Sequence, residues 1–519
     1  MAQINGGKPK TKKFAGINVP PELSRLNFFF LFFNTFLIGM IMSVPSVLQP
    51  AFMRDIIKIN QDFAGSINSF LQNMSQVATL AFVALIGALS DRTGRKILIF
   101  ASFVVLAISF YLFKVSDVIA AALGISPETA ASICASLSFM SARTADFQPF
   151  APGLLVSYCM RFLVGIGLIL GYPQFITMVG DYTTDKDRGK GMALNGMAMG
   201  LSSILVFGIF GPIIKKSGVL AAFNVVIVLS VIGAVLTLLF MKDRMPEKPK
   251  EKQGLKDIIP LVTQSKALQS AYLCSLITRA DIVVLATYLV TWGVKVAKDM
   301  NMATGDATMK ATLPMIVMGV VSLFAFPFIG VLLDKWGRVP TILVSLVCAA
   351  IGMLLIGIAP SPFSPLCFLA ASLAGIGMSG SIAGANTLAI DAAPITLMGA
   401  IMGGLNTMQP VGILFFLALG GYLFDSVGPG ASFILKGAAT GALLIWIFAY
   451  RKSIVKEITP VFTMEWDEAA KRQMMKIPGG VRQGAIEGTE AYAQSQNITR
   501  ITLDLCLELK KMMDESDTK

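Results

Sequence analysis

Twelve long apolar runs constrain what this 519-residue chain can fold into. An apolar segment of about 20 residues is long enough to cross a bilayer as a helix. With 55% apolar and 14% charged residues, the chain is also too apolar for an ordinary water-soluble protein. We therefore predict an all-α membrane protein with twelve transmembrane helices, six in each half. The expected spans are 26–48, 64–90, 96–114, 152–180, 190–213 and 219–241, then 268–292, 311–333, 339–359, 364–390, 399–424 and 431–450.

Basic residues are concentrated in alternate connections between these spans, which by the positive-inside rule places both termini in the cytoplasm. The net charge of +12 therefore reflects membrane topology and not a nucleic-acid partner. The first span has no cleavage site, so we expect a retained helix in a multi-pass protein of the cytoplasmic (inner) membrane. The predicted divisions are a cytoplasmic N-terminal tail 1–25, a first bundle 26–241, a cytoplasmic linker 242–267, a second bundle 268–452 and a cytoplasmic tail 453–519 with a small helical domain at about 464–513.

The residue types available for chemistry exclude several classes of site. The chain has no histidine, which removes the commonest metal ligand and the usual base near neutral pH. Its six cysteines are scattered without a Cys-x-x-Cys pair, and most lie in apolar runs. We expect no metal, no cofactor and no enzymatic activity, since no nucleophile with a base and no phosphate-binding loop is present.

A duplicated loop sequence follows spans 2 and 8, and both copies read G-x-x-x-D-[RK]-x-G-R. The glycines permit a tight turn, while the acidic and basic residues can change partners as the two halves tilt. Spans 4 and 10 also end alike, in Asp181 and Asp391. We therefore predict a cytoplasmic gate in each half. Its duplicated residues are Gly87, Asp91, Arg92, Gly94 and Arg95 in the first copy, and Gly330, Asp334, Lys335, Gly337 and Arg338 in the second.

The first half carries an external insert at about 115–150. It begins a short helix near Pro127 and Glu128, since proline and an acidic residue both suit the first turn of a helix. We expect this helix to lie against the outer face.

Over roughly residues 20–452, the chain resembles the major facilitator superfamily of transporters. The loop after span 2 resembles the family signature between helices 2 and 3, Arg161 with Gly165 resembles the helix 4 motif, and Arg188 fits the loop after helix 4. The resemblance implies two six-helix bundles around a cavity that opens alternately to either side. It also implies a main gate of Asp91, Arg95 and Asp181, with Asp334 and Arg338 as a weaker copy. Because Met398 stands where the family has arginine, we expect the second copy to be looser.

Charged residues within the spans are the leading functional candidates, because a charge at bilayer depth is costly. They are Arg161 in span 4, Arg279 and Asp281 in span 7, and Lys436 in span 12, which we expect to extend to the interface. Asp281 is the proton-coupling candidate. Since residues two apart on a helix point about 200° apart, either Arg279 or Asp281 can instead be a strut between helices. Two arginines against one aspartate favour an anionic substrate, such as a small organic carboxylate.

Uncharged amides within the spans are further candidates for the cavity. Each is equally suited to hydrogen bonding between packed helices. With Arg161 and Arg279, the substrate-cavity candidates are Asn34, Asn68, Gln72, Asn195, Asn386, Asn406 and Gln409.

The tail from Trp466 to about Met512 resembles the small C-terminal domain of the light-independent protochlorophyllide reductase B subunit. The metal- and tetrapyrrole-binding parts of that enzyme have no counterpart here, so reduction is not implied. A docking module for a soluble protein partner fits best, with an ordinary helical tail as the alternative. The shared residues are Trp466, Glu468, Ala469, Ile477, Pro478, Val481, Arg482, Glu490, Ala493, Ile501 and Thr502.

These observations predict a secondary active transporter in the lipid bilayer, moving a small solute by alternating access with proton coupling, as a symporter. Two alternatives stay open. A drug or metabolite efflux antiporter is one, although the helix 5 motif is only partly present at Gly208–Pro212. A non-transporting scaffold that recruits a soluble partner through its tail is the other.

Overall fold

The computed structural model describes residues 12–184, 187–244, 255–394, 397–475, 477 and 479–516. Parts of the predicted N-terminal tail and linker, and Pro478, lie outside them. Among the described residues, twelve segments are helical, long and apolar enough to cross a membrane, which confirms the predicted fold class. The first half contains α1 (Arg25–Ser43), α2 (Pro45–Asp55), α3 (Ala64–Thr93), α4 (Arg95–Lys114), α5 (Ser116–Ala122), α6 (Pro127–Leu137), α7 (Thr144–Phe147), α8 (Ala151–Tyr182), α9 (Arg188–Ser217) and α10 (Val219–Phe240).

The second half and the tail continue this helical plan. The second half contains α11 (Leu255–Gln264), α12 (Lys266–Thr278), α13 (Asp281–Val296), α14 (Thr304–Lys335), α15 (Arg338–Gly357), α16 (Pro365–Ala392), α17 (Met398–Ser426) and α18 (Pro429–Ile458). The tail contains α19 (Glu468–Met474), α20 (Gly479–Ser495) and α21 (Leu503–Ser516). Several helices run past the predicted apolar limits, as at Asp55, Thr304 and Ile458, because an apolar run marks only the part of a helix that crosses the bilayer.

Two spans are broken into paired helices. Span 1 consists of α1 and α2, with Val44 between them and Pro45 opening the second helix. Proline lacks the N–H that a continuous helix would need. Span 7 consists of α12 and α13, separated by Arg279 and Ala280. Arg279 follows the negative end of one helix dipole and Asp281 opens the positive end of the next, so each charge suits its position.

The halves meet at one end of the molecule, which we call the insert side because α5–α7 lie there; the opposite end, with the start of α1 and the end of α18, is the termini side. Two seams join the halves, α3 with α17 and α9 with α14. On the insert side the helices approach closely at glycines. A Cβ added to Gly65 would lie 2.5 Å from Phe424 Cδ1, and one added to Gly305 would lie 2.5 Å from Lys215 Cα. Any side chain at these two positions would force the helices apart.

At the termini side, glycines of the same four helices face open space. A Cβ added to Gly87, Gly189, Gly330 or Gly399 would meet no heavy atom within 4 Å. The polar contacts between the halves that the structure describes lie between the insert side and the middle of the bundle. The space between the halves therefore opens toward the termini side.

Part of the predicted N-terminal tail forms a β-hairpin, with β1 (Lys13–Phe14) paired antiparallel to β2 (Ile17–Asn18). Asp187 attaches it to the first half by accepting hydrogen bonds of 2.9 Å from both the backbone and the side-chain N–H groups of Asn18. Lys190 Nζ lies 2.8 Å from the same carboxylate. These hydrogen bonds, the backbone one foremost, hold the pKa of Asp187 below its usual value.

The tail folds around its own small core. Strand β3 (Glu465–Trp466) pairs in parallel with β4 (Arg500–Ile501), and Trp466 and Ile501 are buried in that core. Glu490 accepts hydrogen bonds from Thr463 N (2.8 Å), Met464 N (3.2 Å) and Trp466 Nε1 (2.8 Å). Burial raises the pKa of Glu490, but the hydrogen bonds outweigh it and leave the pKa lowered.

Glu490→Gln should destabilise the tail domain by about 2 kcal/mol, because an amide replaces a buried carboxylate that accepts several hydrogen bonds. Since the folded-state pKa is lowered, the stabilisation is present at neutral pH and is lost as the pH falls through that pKa. Hydrogen exchange of residues 465–510 in the full chain measures this. Glu487→Gln, an exposed change on the same helix, is the matched control. Equal exchange in both variants would contradict the role of Glu490.

Candidate functional site

Arg279 stands at the break in span 7 with two asparagines of the second half. Its Nη1 donates to Asn406 Oδ1 at 2.6 Å, and its Nη2 donates to Asn386 Oδ1. The Nε atom is buried without a hydrogen-bond partner. Tyr172 of the first half lies close enough to interact electrostatically with Arg279. The structure thus brings together three predicted cavity residues, and it adds an aromatic residue from the opposite half that the sequence did not single out.

Arg161 is only 2% exposed and is surrounded by neutral groups. Its Nε donates to Gln49 Oε1 at 2.7 Å, its Nη2 donates to Gln72 Oε1, and Gln72 Nε2 donates to Ser46 at 2.9 Å. Arg161 Nη1 and Gln49 Nε2 are buried donors without a partner. The sequence predicted Arg161 and Gln72. Gln49 was missed because it lies beyond the predicted end of span 1.

Lys436 does not extend to the interface, and that prediction was wrong. Its Nζ lies 2.8 Å from Asp281 Oδ1, with both side chains almost fully buried. The same Nζ donates to the carbonyl of Ile277 and lies 4.0 Å from the ring centre of Phe416. Lys436 lies two turns inside α18 on a face packed against neighbouring helices, so its side chain cannot reach water.

The pairing of Asp281 with Lys436 changes the charge balance of the interior. Within the part of the chain that the structure describes, no carboxylate forms an ion pair with Arg161 or Arg279. Each half therefore contains one interior arginine whose described hydrogen bonds go only to side-chain amides.

Three other predicted amides are buried in the first half. Asn34 donates to Thr237 at 3.0 Å and Asn195 accepts from Thr35 at 3.3 Å, and both bonds join packed helices. Asn68 instead donates to the carbonyl of Ala64 at 2.8 Å within its own helix. Gln409 is half-buried on α17.

Both duplicated loops place their charges in matching geometry at the termini side. We call the ion pairs of the loop after span 2 the first latch: Arg95 lies 3.4 Å from Asp91 and 3.3 Å from Asp181. Those of the loop after span 8 are the second latch: Arg338 lies 2.9 Å from Asp334 and 2.9 Å from Asp391. The ion pairs of the second latch are no longer than those of the first, so they form without a charge at Met398. A looser second gate stays a prediction.

The glycine of each latch starts the following helix. Gly94 has φ 93° and Gly337 has φ 94°, a region that other residues rarely adopt. Asp243 accepts hydrogen bonds of 2.9 Å from the backbone N–H groups of Arg95 and Lys96, so it caps α4. Arg92 is exposed, and Arg188 is the first residue of α9.

A carboxylate joins helices of the two halves at the insert side. Asp425, at the end of α17, accepts hydrogen bonds from Gly65 N (2.8 Å) and Ser66 N (2.7 Å) at the start of α3. The positive end of the α3 dipole favours this contact. Arg54 donates to the Val294 carbonyl at 2.6 Å, joining α2 to α13. No sequence signal marked these residues, since each contact joins segments more than 200 residues apart.

No metal centre is apparent in the described ranges, where no three His, Cys, Asp or Glu side chains are placed to hold an ion.

Thiol labelling can show which side of the space between the halves is open to water. In a variant without the six native cysteines, Asn406→Cys should react with a water-soluble maleimide at least about tenfold faster than Ser69→Cys. Asn406 is exposed, whereas Ser69 is buried in the α3–α17 seam. Lys58→Cys, on the exposed insert side, provides the reference rate. Equal rates at positions 406 and 69 would contradict the described opening.

Comparisons with known proteins agree with this architecture. Residues 31–321 and 271–474 match the Major Facilitator Superfamily. The magnetosome protein MamH of Paramagnetospirillum magneticum is 28% identical over 410 residues, covering 79% of this chain and 88% of MamH. The magnetosome protein MamZ of the same organism is 26% identical over 423 residues, covering 79% of this chain and 60% of MamZ.

The tail has a separate, short match. Over 61 residues it is 38% identical to the B subunit of light-independent protochlorophyllide reductase from Gloeobacter violaceus, covering 12% of each protein.

Solved transporter structures share the fold at low sequence identity. A point variant of the nucleoside transporter NupG has a TM-score of 0.61 at 13% identity, covering 81% of this chain and 99% of NupG. The D-xylose-proton symporter has a TM-score of 0.57 at 16% identity, covering 81% of this chain and 97% of the symporter. The matched residues, the twelve spans and the shared fold show that the chain belongs to the Major Facilitator Superfamily.

Proposed function

We propose that this protein is a secondary active transporter that moves a small organic anion by alternating access, with proton coupling. The observation that carries the proposal is the pair of interior arginines without carboxylate partners, Arg161 and Arg279. A charge inside the membrane is costly and usually faces a partner or a cavity. An anionic substrate would neutralise that charge.

Arg279 is the better placed of the two for binding from the termini side. It is half-buried, whereas Arg161 is enclosed. Its guanidinium matches a carboxylate with two parallel hydrogen bonds, which are stronger than bonds to neutral amides. A bound carboxylate would replace the oxygens of Asn386 and Asn406, whose amide nitrogens can then donate to the substrate.

An aromatic residue of the opposite half also lies within electrostatic range of this site. Tyr172 lies on α8, while Arg279, Asn386 and Asn406 belong to the second half. A substrate bound between them contacts both bundles. It can therefore favour one tilt of the halves over the other, as alternating access requires.

Arg279→Gln should reduce carboxylate uptake into proteoliposomes by about a hundredfold, since losing one partner of a buried charge pair costs about 2 to 5 kcal/mol. Arg279→Lys keeps the charge and should retain part of the uptake, while Lys452→Gln, an exposed change on the second bundle's last helix, should have no effect. A panel of radiolabelled mono- and dicarboxylates provides the substrates. Uptake by Arg279→Gln equal to that of the unaltered protein would refute this role.

We also propose that the two latches and the glycines beside them form the gate at the termini side. In this structure the latch charges pair within their own halves, while Gly87 and Gly330 face open space. When the termini side closes, α3 and α14 must approach α17 and α9 there, as they already do on the insert side.

Gly87→Leu should therefore fold normally but disfavour closure of the termini side. Distances between spin labels on the two halves at that side should stay long when substrate is added, and transport should fall. Gly441→Leu, at another glycine with nothing within 4 Å, is the matched control on α18, away from both latches. A Gly87→Leu protein that closes like the unaltered one would remove this glycine from the gate.

Proton coupling through Asp281 forms part of the proposal, with Lys436 as its partner. The basic connections support cytoplasmic termini in a multi-pass protein of the inner membrane. The likeness to MamH and MamZ favours a magnetosome membrane as a second candidate location. The separately folded tail supports docking of a soluble protein partner.

A further inference from the structure

The break in span 7 lacks the usual cause of a broken helix. In a continuous helix, the N–H of residue 281 would donate to the carbonyl of residue 277. No such bond forms among the described residues 266–296, which contain no proline. Instead, Lys436 Nζ donates to the Ile277 carbonyl and pairs with Asp281 at 2.8 Å. Lys436 therefore occupies the acceptor that a continuous helix would use.

We propose that the Asp281–Lys436 pair holds span 7 broken, and that releasing the pair lets α12 and α13 join and opens the insert side. This inference rests on the proposed alternating access. It assigns Lys436 the role of a positioning residue that acts through the backbone of span 7.

The corresponding break in span 1 provides a contrast. There Pro45 makes the break permanent, since its nitrogen has no proton to donate. In span 7 the two linking residues already have near-helical backbones: Arg279 has φ −69° and ψ −16°, and Ala280 has φ −78° and ψ −14°. A change in ψ of about 30° brings both into the α-helical range. The second break can therefore close without passing through a forbidden conformation.

The charges around Asp281 leave Lys436 as its counter-ion in the described part of the chain. Arg279, two residues away, bonds to Asn386 and Asn406. From α17, the ring of Phe416 contacts the ammonium. When Asp281 takes up a proton, Lys436 loses the ion pair that holds its ammonium beside the Ile277 carbonyl, and only that hydrogen bond remains. The N–H of Asp281 can then take that acceptor.

Helix α13 transmits this change to the insert side. Its Val294 carbonyl accepts from Arg54 of α2, and its Tyr288 hydroxyl lies 2.9 Å from the Ser69 hydroxyl of α3. Both contacts join the halves. Straightening span 7 rotates α13 relative to α12, so the two contacts cannot both persist.

The test compares the full-length protein with the Asp281→Asn/Lys436→Met double variant in lipid nanodiscs. The double change removes both buried charges together, so neither is left alone in the core. Hydrogen exchange measures how strongly the backbone amides of residues 279–283 are protected by hydrogen bonding. Spin labels at Lys58→Cys and Asp299→Cys, exposed on the insert side in opposite halves, report its opening. Thr440→Val, one turn from Lys436 on α18, is the matched control.

We expect amide exchange at 279–283 to slow by about tenfold in the double variant, and the distance between labels to lengthen. Thr440→Val should match the unaltered protein in both measurements. Unchanged exchange overturns the inference, whatever the distance does, and so does slower exchange at an unchanged distance. Neither measurement uses a substrate. A failure of anion uptake would therefore count against the proposed function alone.

Discussion

The cost of placing charge inside a lipid-embedded helical bundle governs this structure. Asp281 and Lys436 meet part of that cost by pairing at 2.8 Å. Arg161 and Arg279 have no such counter-ion among the described residues, and amides satisfy only part of their hydrogen-bonding capacity. A protein that keeps two such charges without carboxylates is suited to accept an anion, and the proposed transport of organic anions follows from that imbalance.

The arrangement of the two halves determines from which side an anion can reach Arg279. Glycine contacts and the Asp425 carboxylate close the insert side, while glycines of the same helices face open space at the termini side. Arg279 lies at the break in span 7, between the closed and open ends. The substrate-binding candidate and the helix that seals the insert side are thus consecutive parts of one span.

Much of the fold was predictable, because apolar run length alone determines which segments can cross a bilayer. The duplicated loops likewise predicted the ion pairs of Arg95 and Arg338. Lys436 was misplaced because sequence gives its depth in a helix but not which neighbour that face packs against. Asp425 and Gln49 were missed since their partners lie on other helices, and no local pattern encodes such contacts. The N-terminal hairpin was missed because its anchor, Asp187, lies about 170 residues away.

The most direct measurement of the central claim is ligand-induced thermal stabilisation of the purified protein by matched pairs of solutes, each an organic carboxylate and its uncharged amide. A ligand that binds the folded state raises its unfolding temperature according to its concentration and affinity. The account predicts that at least one carboxylate stabilises the protein while its amide does not, and that Arg279→Gln abolishes the difference. Stabilisation by amides or cations alone, with no carboxylate effective, would contradict it.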